Sequence, residues 1–331
     1  MPSPTPIVTI FGGSGFVGRY VAQRMARAGW RVRVAVRRPE EALFVRPYGV
    51  VGQVEPVQAN IRDEASTRAA IEGVDVVVNC VGILAESGKQ GFEPVIAEGA
   101  GRIARIASEV GVSRLVHISA IGADANSKSG YARAKAKGEE LVLNGFPNAT
   151  ILRPSVVFGT EDEFFNRFGA MARFSPVLPL VGADTKFQPV YVDDIAAAAA
   201  KAALGVAKPG IYELGGPEVA TFRELMERLL AVIERKRFLV ELPFGLARRQ
   251  GAFLDWLQKI SFGLFSNGIL TADQVELLKS DNVVSASAQG FEELGISPTP
   301  MDSILEGYLY SYRPHGQYDA ITASAANLPK S

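Results

Sequence analysis

With a single cysteine, Cys80, the 331-residue chain cannot close an internal disulfide, and with only His117 and His315 besides it offers no Cys/His cluster of zinc-binding spacing. Charge of one sign is missing too. Thirty-five basic residues face 35 acidic ones, a balance that argues against nucleic acid as a partner. No uncharged apolar run reaches the roughly eighteen residues that cross a bilayer. The opening Met-Pro-Ser-Pro-Thr-Pro lacks the basic and apolar regions of a secretory leader and the arginines of a transit peptide. A soluble or membrane-peripheral protein in a reducing compartment is expected. The chain is 47% hydrophobic, enough over this length for a full core. Cys80, inside the apolar run Val76 to Val81, reads as a small buried side chain.

The most informative segment runs Ile10-Phe11-Gly12-Gly13-Ser14-Gly15-Phe16-Val17-Gly18, between an apolar strand (Ile7 to Phe11) and an amphipathic helix (Phe16 to Ala28). Gly12, Gly15 and Gly18 suit a tight turn, close approach of backbone to a pyrophosphate, and close packing of helix on strand. The helix start adds free N–H groups and a partial positive charge. Gly12, Gly13, Ser14, Gly15, Phe16, Val17 and Gly18 are therefore assigned to a dinucleotide. After the next strand, Arg31 to Val36, an NAD site would place an acid on the ribose 2′-hydroxyl, but this chain has Arg37 and Arg38. Guanidinium groups clasp a 2′-phosphate, so NADPH (NADP+) is the expected cofactor. Cys80, Val81 and Gly82, at the end of a later strand, are placed against the same ligand.

Strand-like runs at Val54 to Ala59, Val74 to Val81, Arg114 to Ile121 and Thr150 to Phe158 alternate with helical stretches at Glu64 to Ile71, Phe92 to Val110 and Tyr131 to Asn144. Such alternation predicts an α/β fold, a Rossmann-type doubly wound parallel sheet, over residues 1–159. Beyond it a smaller C-terminal α/β lobe is expected over 160–313. Its elements are a helix near Phe164 to Phe174, the run Gln188 to Val192, an Ala-rich helix Ile195 to Leu204, a strand Gly210 to Leu214, and a helix Phe222 to Ile233 opened by a Thr221/Glu224 capping box. Residues 314–331 lack periodicity and read as a flexible tail.

Tyr131 and Lys135 stand four apart, on one face of their helix. A phenol with a reference pKa near 10 becomes a base at neutral pH only if an ammonium group steadies its phenolate, a shift of about three units. With Ser119, twelve residues before the tyrosine, the pair resembles the Ser-Tyr-Lys set of short-chain dehydrogenases, whose wide glycine spacing the first loop also resembles. That likeness implies that Ser119 orients a substrate carbonyl, Tyr131 exchanges a proton, and Lys135 also holds the nicotinamide ribose. Arg153-Pro154-Ser155-Val156-Val157-Phe158-Gly159 resembles the turn that lines the nicotinamide in extended and atypical members, which implies roles for Pro154, Ser155, Val156 and Val157. Asn60, followed by Ile61, stands where those members often place an adenine-contacting Asp; an amide can also meet the adenine edge.

Three further tracts carry a narrower likeness: Asp162 to Phe168 (DEFFNRF), Leu270 to Leu278 (LTADQVELL) and Leu294 to Pro300 (LGISPTP). With them, nearly the whole chain resembles the nucleotide-binding accessory subunits of respiratory complex I. The resemblance implies a bound NADPH with mainly structural duty and, as partners, core subunits of the hydrophilic arm near the quinone site. It also implies a bacterial protein peripheral to the cytoplasmic side of the inner membrane. Independently, basic residues (Arg235, Lys236, Arg237, Arg248, Arg249, Lys259) interleave with aromatic ones (Phe238, Phe244, Phe253, Trp256, Phe262, Phe265), a mixture that suits an anionic membrane surface, a large partner, or a lobe core with charges facing water. The residues leave three functions open: a nucleotide-braced accessory subunit, an active NADPH-dependent reductase, epimerase or dehydratase, and a nucleotide-sensing regulator.

Overall fold

The computed structural model describes residues 5–88, 90–247, 249 and 271–314. Readings that fall on Arg248, on Phe253, Trp256, Lys259, Phe262 and Phe265, and on the tail beyond Pro314 lie outside them. The first half runs β1 (Ile7–Phe11), α1 (Phe16–Arg27), β2 (Arg31–Val36), β3 (Val54–Gln58), α2 (Glu64–Ile71), β4 (Val76–Asn79), α3 (Glu98–Glu109), β5 (Arg114–Ile118), α4 (Gly130–Gly145) and β6 (Thr150–Pro154). The second half holds β7 (Val157–Phe158), α5 (Phe165–Phe174), β8 (Val177–Val181), β9 (Lys186–Phe187), β10 (Val190–Tyr191), α6 (Val192–Ala203), β11 (Gly210–Leu214), β12 (Ala220–Thr221), α7 (Phe222–Val232), β13 (Phe238–Leu242) and the helices Ala272–Leu277 and Asp302–Leu309.

Seven strands form one parallel sheet in the order β11-β6-β5-β4-β1-β2-β3, the doubly wound arrangement that the alternation predicted. The order reverses between β1 and β4, and ligands of such sheets bind at that crevice, beyond the carboxyl ends of the strands. Strand β4 reads Val-Val-Val-Asn and is buried at every position, as a parallel strand covered on both faces requires. On one face Val21, Ala22 and Met25 of α1 meet Ile195, Ala198 and Ala199 of α6. On the other, Ile103, Ala104 and Ala107 of α3 pack with Val142 of α4.

A third core, built from Phe158, Phe165, Leu178, Leu180, Phe222, Leu225, Leu229, Leu305 and Leu309, fills the smaller lobe. Its helix α7 starts on the capping box read from the sequence: Thr221 Oγ1 accepts from the Glu224 amide, and the Glu224 carboxylate accepts from the Thr221 amide. Asp162, from the DEFFNRF tract, ties the turn after β7 to the last helix of this lobe by accepting from Gly159 N at 3.2 Å and from the Tyr308 hydroxyl at 2.5 Å.

Two elements depart from the expected division at residue 159. Strand β11 pairs with β6 as the seventh strand of the large sheet, and α6 packs on α1, so the chain returns to the first lobe before finishing the second. Both are apolar enough to be buried on either lobe, and their local sequence does not say which. The run expected as one strand from Thr150 to Phe158 breaks at Ser155, whose amide donates to Leu214 while β7 turns away to pair with β10.

Candidate functional site

At the switch point the glycines make the cradle. Gly12 has φ +70°, a left-handed conformation, and a β-carbon there would press on the Cys80 and Val81 backbone at 3.2 Å. At Gly18 a β-carbon would drive into the Gly12 carbonyl. The close approach of α1 to the glycine turn depends on Gly18, and that of the turn to the end of β4 on Gly12. Gly13 and Gly15 are held by turn hydrogen bonds to Ile10 and Gly12, and Ser14 gives its carbonyl to Arg19. Helix α1 begins at Phe16 and Val17 with Gly15 as its cap, with no side-chain cap and no acidic residue in the first turn. Its start is thus a set of backbone donors without a built-in anion, the fit that a pyrophosphate requires.

Arg37 and Arg38 follow β2 and are exposed. Arg38 pairs with Glu41 at 2.8 Å, a contact open to water on both sides and easily exchanged for a phosphate. Asn60 caps its own turn, its Oδ1 accepting from Arg62 N at 3.2 Å, and Ile61 packs beneath against Gly99. On the other side of the crevice Cys80, Val81 and Gly82 follow β4. Burial pushes the Cys80 thiol up to about 12, so it is a neutral side chain there and not a nucleophile.

Helix α4 brings Tyr131 and Lys135 to the same crevice. The Lys135 Nζ donates to the Ile118 carbonyl at 3.2 Å, lies 5.7 Å from the centre of the Tyr131 ring, and would stand 3.9 Å from a β-carbon at Gly82. The expected lowering of the phenol is reversed. Burial, and then the Asp273 carboxylate, push Tyr131 up to about 12, while burial, opposed by Glu139 and Cys80, brings Lys135 down to about 8. Desolvation outweighs the mutual help that the pair was expected to give. In this state Tyr131 is a hydrogen-bond donor and a weak acid.

Ser119 is bound into the chain. Its Oγ donates to Glu139 at 2.5 Å, and the same carboxylate takes Arg153 Nε at 2.9 Å and Nη2 at 2.6 Å. Arg153 reaches on to Glu213, and Glu213 accepts from Ser285 N at 2.8 Å. The serine is thus one end of a buried charge network. Nor is Ser155 open to a nicotinamide: its hydroxyl is spent on Asn282, which also accepts from Val156 N at 3.1 Å, while Val157 pairs with Val190 and Pro154 ends β6.

Three residues that the sequence reading passed over shape this end. Asp273 accepts from Gly130 N at 2.6 Å, from the Ser129 hydroxyl at 2.7 Å and from Tyr131 N at 3.3 Å, so an acid from the distant LTADQVELL tract caps the tyrosine helix. Asn282 bridges Ser155, Val156 and the Ile121 carbonyl. His117, in β5, is buried against Asn79 at 3.1 Å; burial, then Lys135, hold it down to about 3, and its Nε2 lacks a partner among the described residues. The site can therefore hold a dinucleotide by backbone donors at one end and by a half-buried phenol and a buried ammonium at the other. Segment 271–285 meets the start of α4 through Asp273 and the end of β6 through Asn282.

Comparisons with known proteins bear on the family and the fold. The NAD(P)H-binding family matches residues 12–177. NADH dehydrogenase (ubiquinone) 1 alpha subcomplex subunit 9 of Arabidopsis thaliana is 37% identical over 96% of this chain and 81% of its own. The ceramide reductase of Caulobacter vibrioides is 32% identical over 75% of this chain and 77% of its own. Among solved structures, an NADPH-dependent quinone oxidoreductase of Escherichia coli, complexed with NADPH, superposes with a TM-score of 0.69 at 20% identity, over 91% of this chain and 98% of that one.

Proposed function

This chain belongs to the family of NADH dehydrogenase (ubiquinone) 1 alpha subcomplex subunit 9, and we propose that it is an NADPH-holding accessory subunit of a respiratory NADH:ubiquinone oxidoreductase. One observation carries the reading: the likeness to that subunit runs through 96% of the chain and so takes in the segment that closes the tyrosine end with Asp273 and Asn282. Its partners are core subunits of the hydrophilic arm near the quinone site, and it is peripheral, on the cytoplasmic side of a bacterial inner membrane.

In this reading Gly12 to Gly18 and the start of α1 hold the pyrophosphate, Asn60 and Ile61 border the adenine, and Cys80 to Gly82 floor the crevice. Tyr131 and Lys135 hold the nicotinamide ribose. Arg37 and Arg38 favour NADPH over NADH, since their guanidinium groups suit a 2′-phosphate and they stand at the end of β2, where an NAD site places its acid. The coenzyme supplies a hydride where there is a redox step. As a ligand of the native state alone it also braces the fold: at a hundred times its Kd it adds about 2.7 kcal/mol.

Affinity-tagged full chain, drawn from membranes in mild detergent, is expected to travel with the whole oxidoreductase and to release NADPH on denaturation. A purely cytosolic, nucleotide-free monomer would overturn the reading. A second reading, an active NADPH-dependent reductase, has one observation in its favour: Tyr131 and Lys135 are both present and share the crevice. Its mark would be oxidation of NADPH with a carbonyl substrate, abolished in Tyr131→Phe.

A further inference from the structure

Parallel strands are normally covered on both faces, yet among the described residues β8 and β13 pair in parallel with only one face against a core. Their register sets Phe238 beside Val177 and Val240 beside Pro179. The inward partners, Leu178 and Leu180, are fully buried, while Phe238 is 75% exposed and Val177, Pro179 and Val240 also face out. Phe174, at the end of α5, adds an aromatic side chain that is 85% exposed.

Four cations rim this apolar patch. Arg173 lies over the Phe174 ring at 5.6 Å; Arg235 and Arg237 are anchored through backbone carbonyls of Tyr312 and Ala172; Lys236 lies between them. Among the described residues none of the four meets a carboxylate, whereas the nearby Arg223 is neutralised by Glu241. Burial, and then the Arg237 and Arg173 guanidinium groups, hold Arg235 below its ordinary proton affinity: these like charges are gathered in spite of their repulsion. An interior packing face has no use for such a rim.

We infer that this face, with Phe174 and Phe238 as its apolar teeth and Arg173, Arg235, Lys236 and Arg237 as its rim, docks on an anionic lipid bilayer. A bilayer interface offers what the patch lacks on both counts, apolar depth for the rings and phosphate charge for the cations. The inference deepens the accessory-subunit reading and rests on it only for a protein stationed beside a membrane. The chain then touches lipid itself as well as through its partners.

The test is flotation of the purified full chain with vesicles of phosphatidylglycerol and phosphatidylcholine in equal parts, against phosphatidylcholine alone, at low salt. Binding to the anionic vesicles only is expected, with a loss of roughly fivefold in affinity for each of Arg173→Gln and Lys236→Gln. The exposed pair Phe174→Ser and Phe238→Ser should reduce binding further without lowering the melting temperature. Failure to bind anionic vesicles, equal binding to neutral ones, or unchanged binding by all four variants overturns the inference, as does a dimer in solution whose contact buries Phe174 and Phe238. Those failures leave co-purification with the oxidoreductase and its NADPH content untouched, so the two proposals fall separately.

Discussion

The two ends of the crevice are built on opposite plans. At the glycine end the helix start of α1 presents backbone donors that no side chain caps, and Arg37 and Arg38 stand in water. At the tyrosine end the polar groups are committed inside the chain: Ser119 to Glu139, Ser155 to Asn282, and the start of the tyrosine helix to Asp273. An open set of donors is a place for a ligand, whereas a satisfied network is a piece of structure. The difference teaches that backbone donors are left free at one end of the crevice, while at the other the Ser119 and Ser155 hydroxyls belong to the chain's own network.

The strongest way to break the comparison is Arg153→Met, which takes from Glu139 and Glu213 the guanidinium group they share. A loss of about 3–5 kcal/mol in urea unfolding is expected; a loss below about 1 kcal/mol would mean that the network is not a structural unit. Next comes Lys135, whose folded pKa of about 8 lies below its ordinary 10.5. Between those values the unfolded chain binds the extra proton, so this residue makes stability rise with pH from about 8 to 10.5 and costs about 3 kcal/mol below that window. Lys135→Met should flatten the rise and raise the melting temperature at neutral pH without nucleotide, while reducing the further rise that NADPH gives. An unchanged pH profile would contradict the burial.

Gly18→Ala sharpens the comparison from the other end. Its methyl group must displace the Gly12 backbone, with an expected destabilisation of about 1–3 kcal/mol and loss of NADPH binding by fluorescence titration. Retained affinity would remove the cradle from the site. The smallest effect belongs to Asp273→Asn, which keeps a cap acceptor but removes the charge beside Tyr131. Stability should fall by only about 1 kcal/mol, and ultraviolet titration should place the phenol below its present value of about 12, because one of its two upward influences is gone.

How far the sequence could be read follows from the range of the interactions. Gly12 to Gly18 and the Thr221/Glu224 box are local, each complete within a turn or two, and the parallel sheet announces itself by alternation of short elements. Tyr131 and Lys135 lie on one helical face. The bond from Ser119 to Glu139, and from Glu139 to Arg153, was not legible, because spacing to a tyrosine does not say what a strand residue's side chain meets. Asp273 lies 142 residues from Tyr131 and Asn282 lies 126 from Val156, so their roles exist only once the lobes have met. The direction of the Tyr131 shift was hidden for the same reason: it depends on burial, which spacing does not report.

The cap that Asp273 sets on α4 also fixes an order of events during synthesis. Helix α4 leaves the ribosome with its Ala132 amide capped by Ser129 but its Gly130 and Tyr131 amides without the acid that takes them, which is translated only after most of the chain has been made. A nascent chain therefore passes through a long stage in which the glycine loop is complete and the tyrosine helix unfinished. Chains stalled or cut before residue 271 should be the ones that a quality-control protease finds at Ser129 to Tyr131.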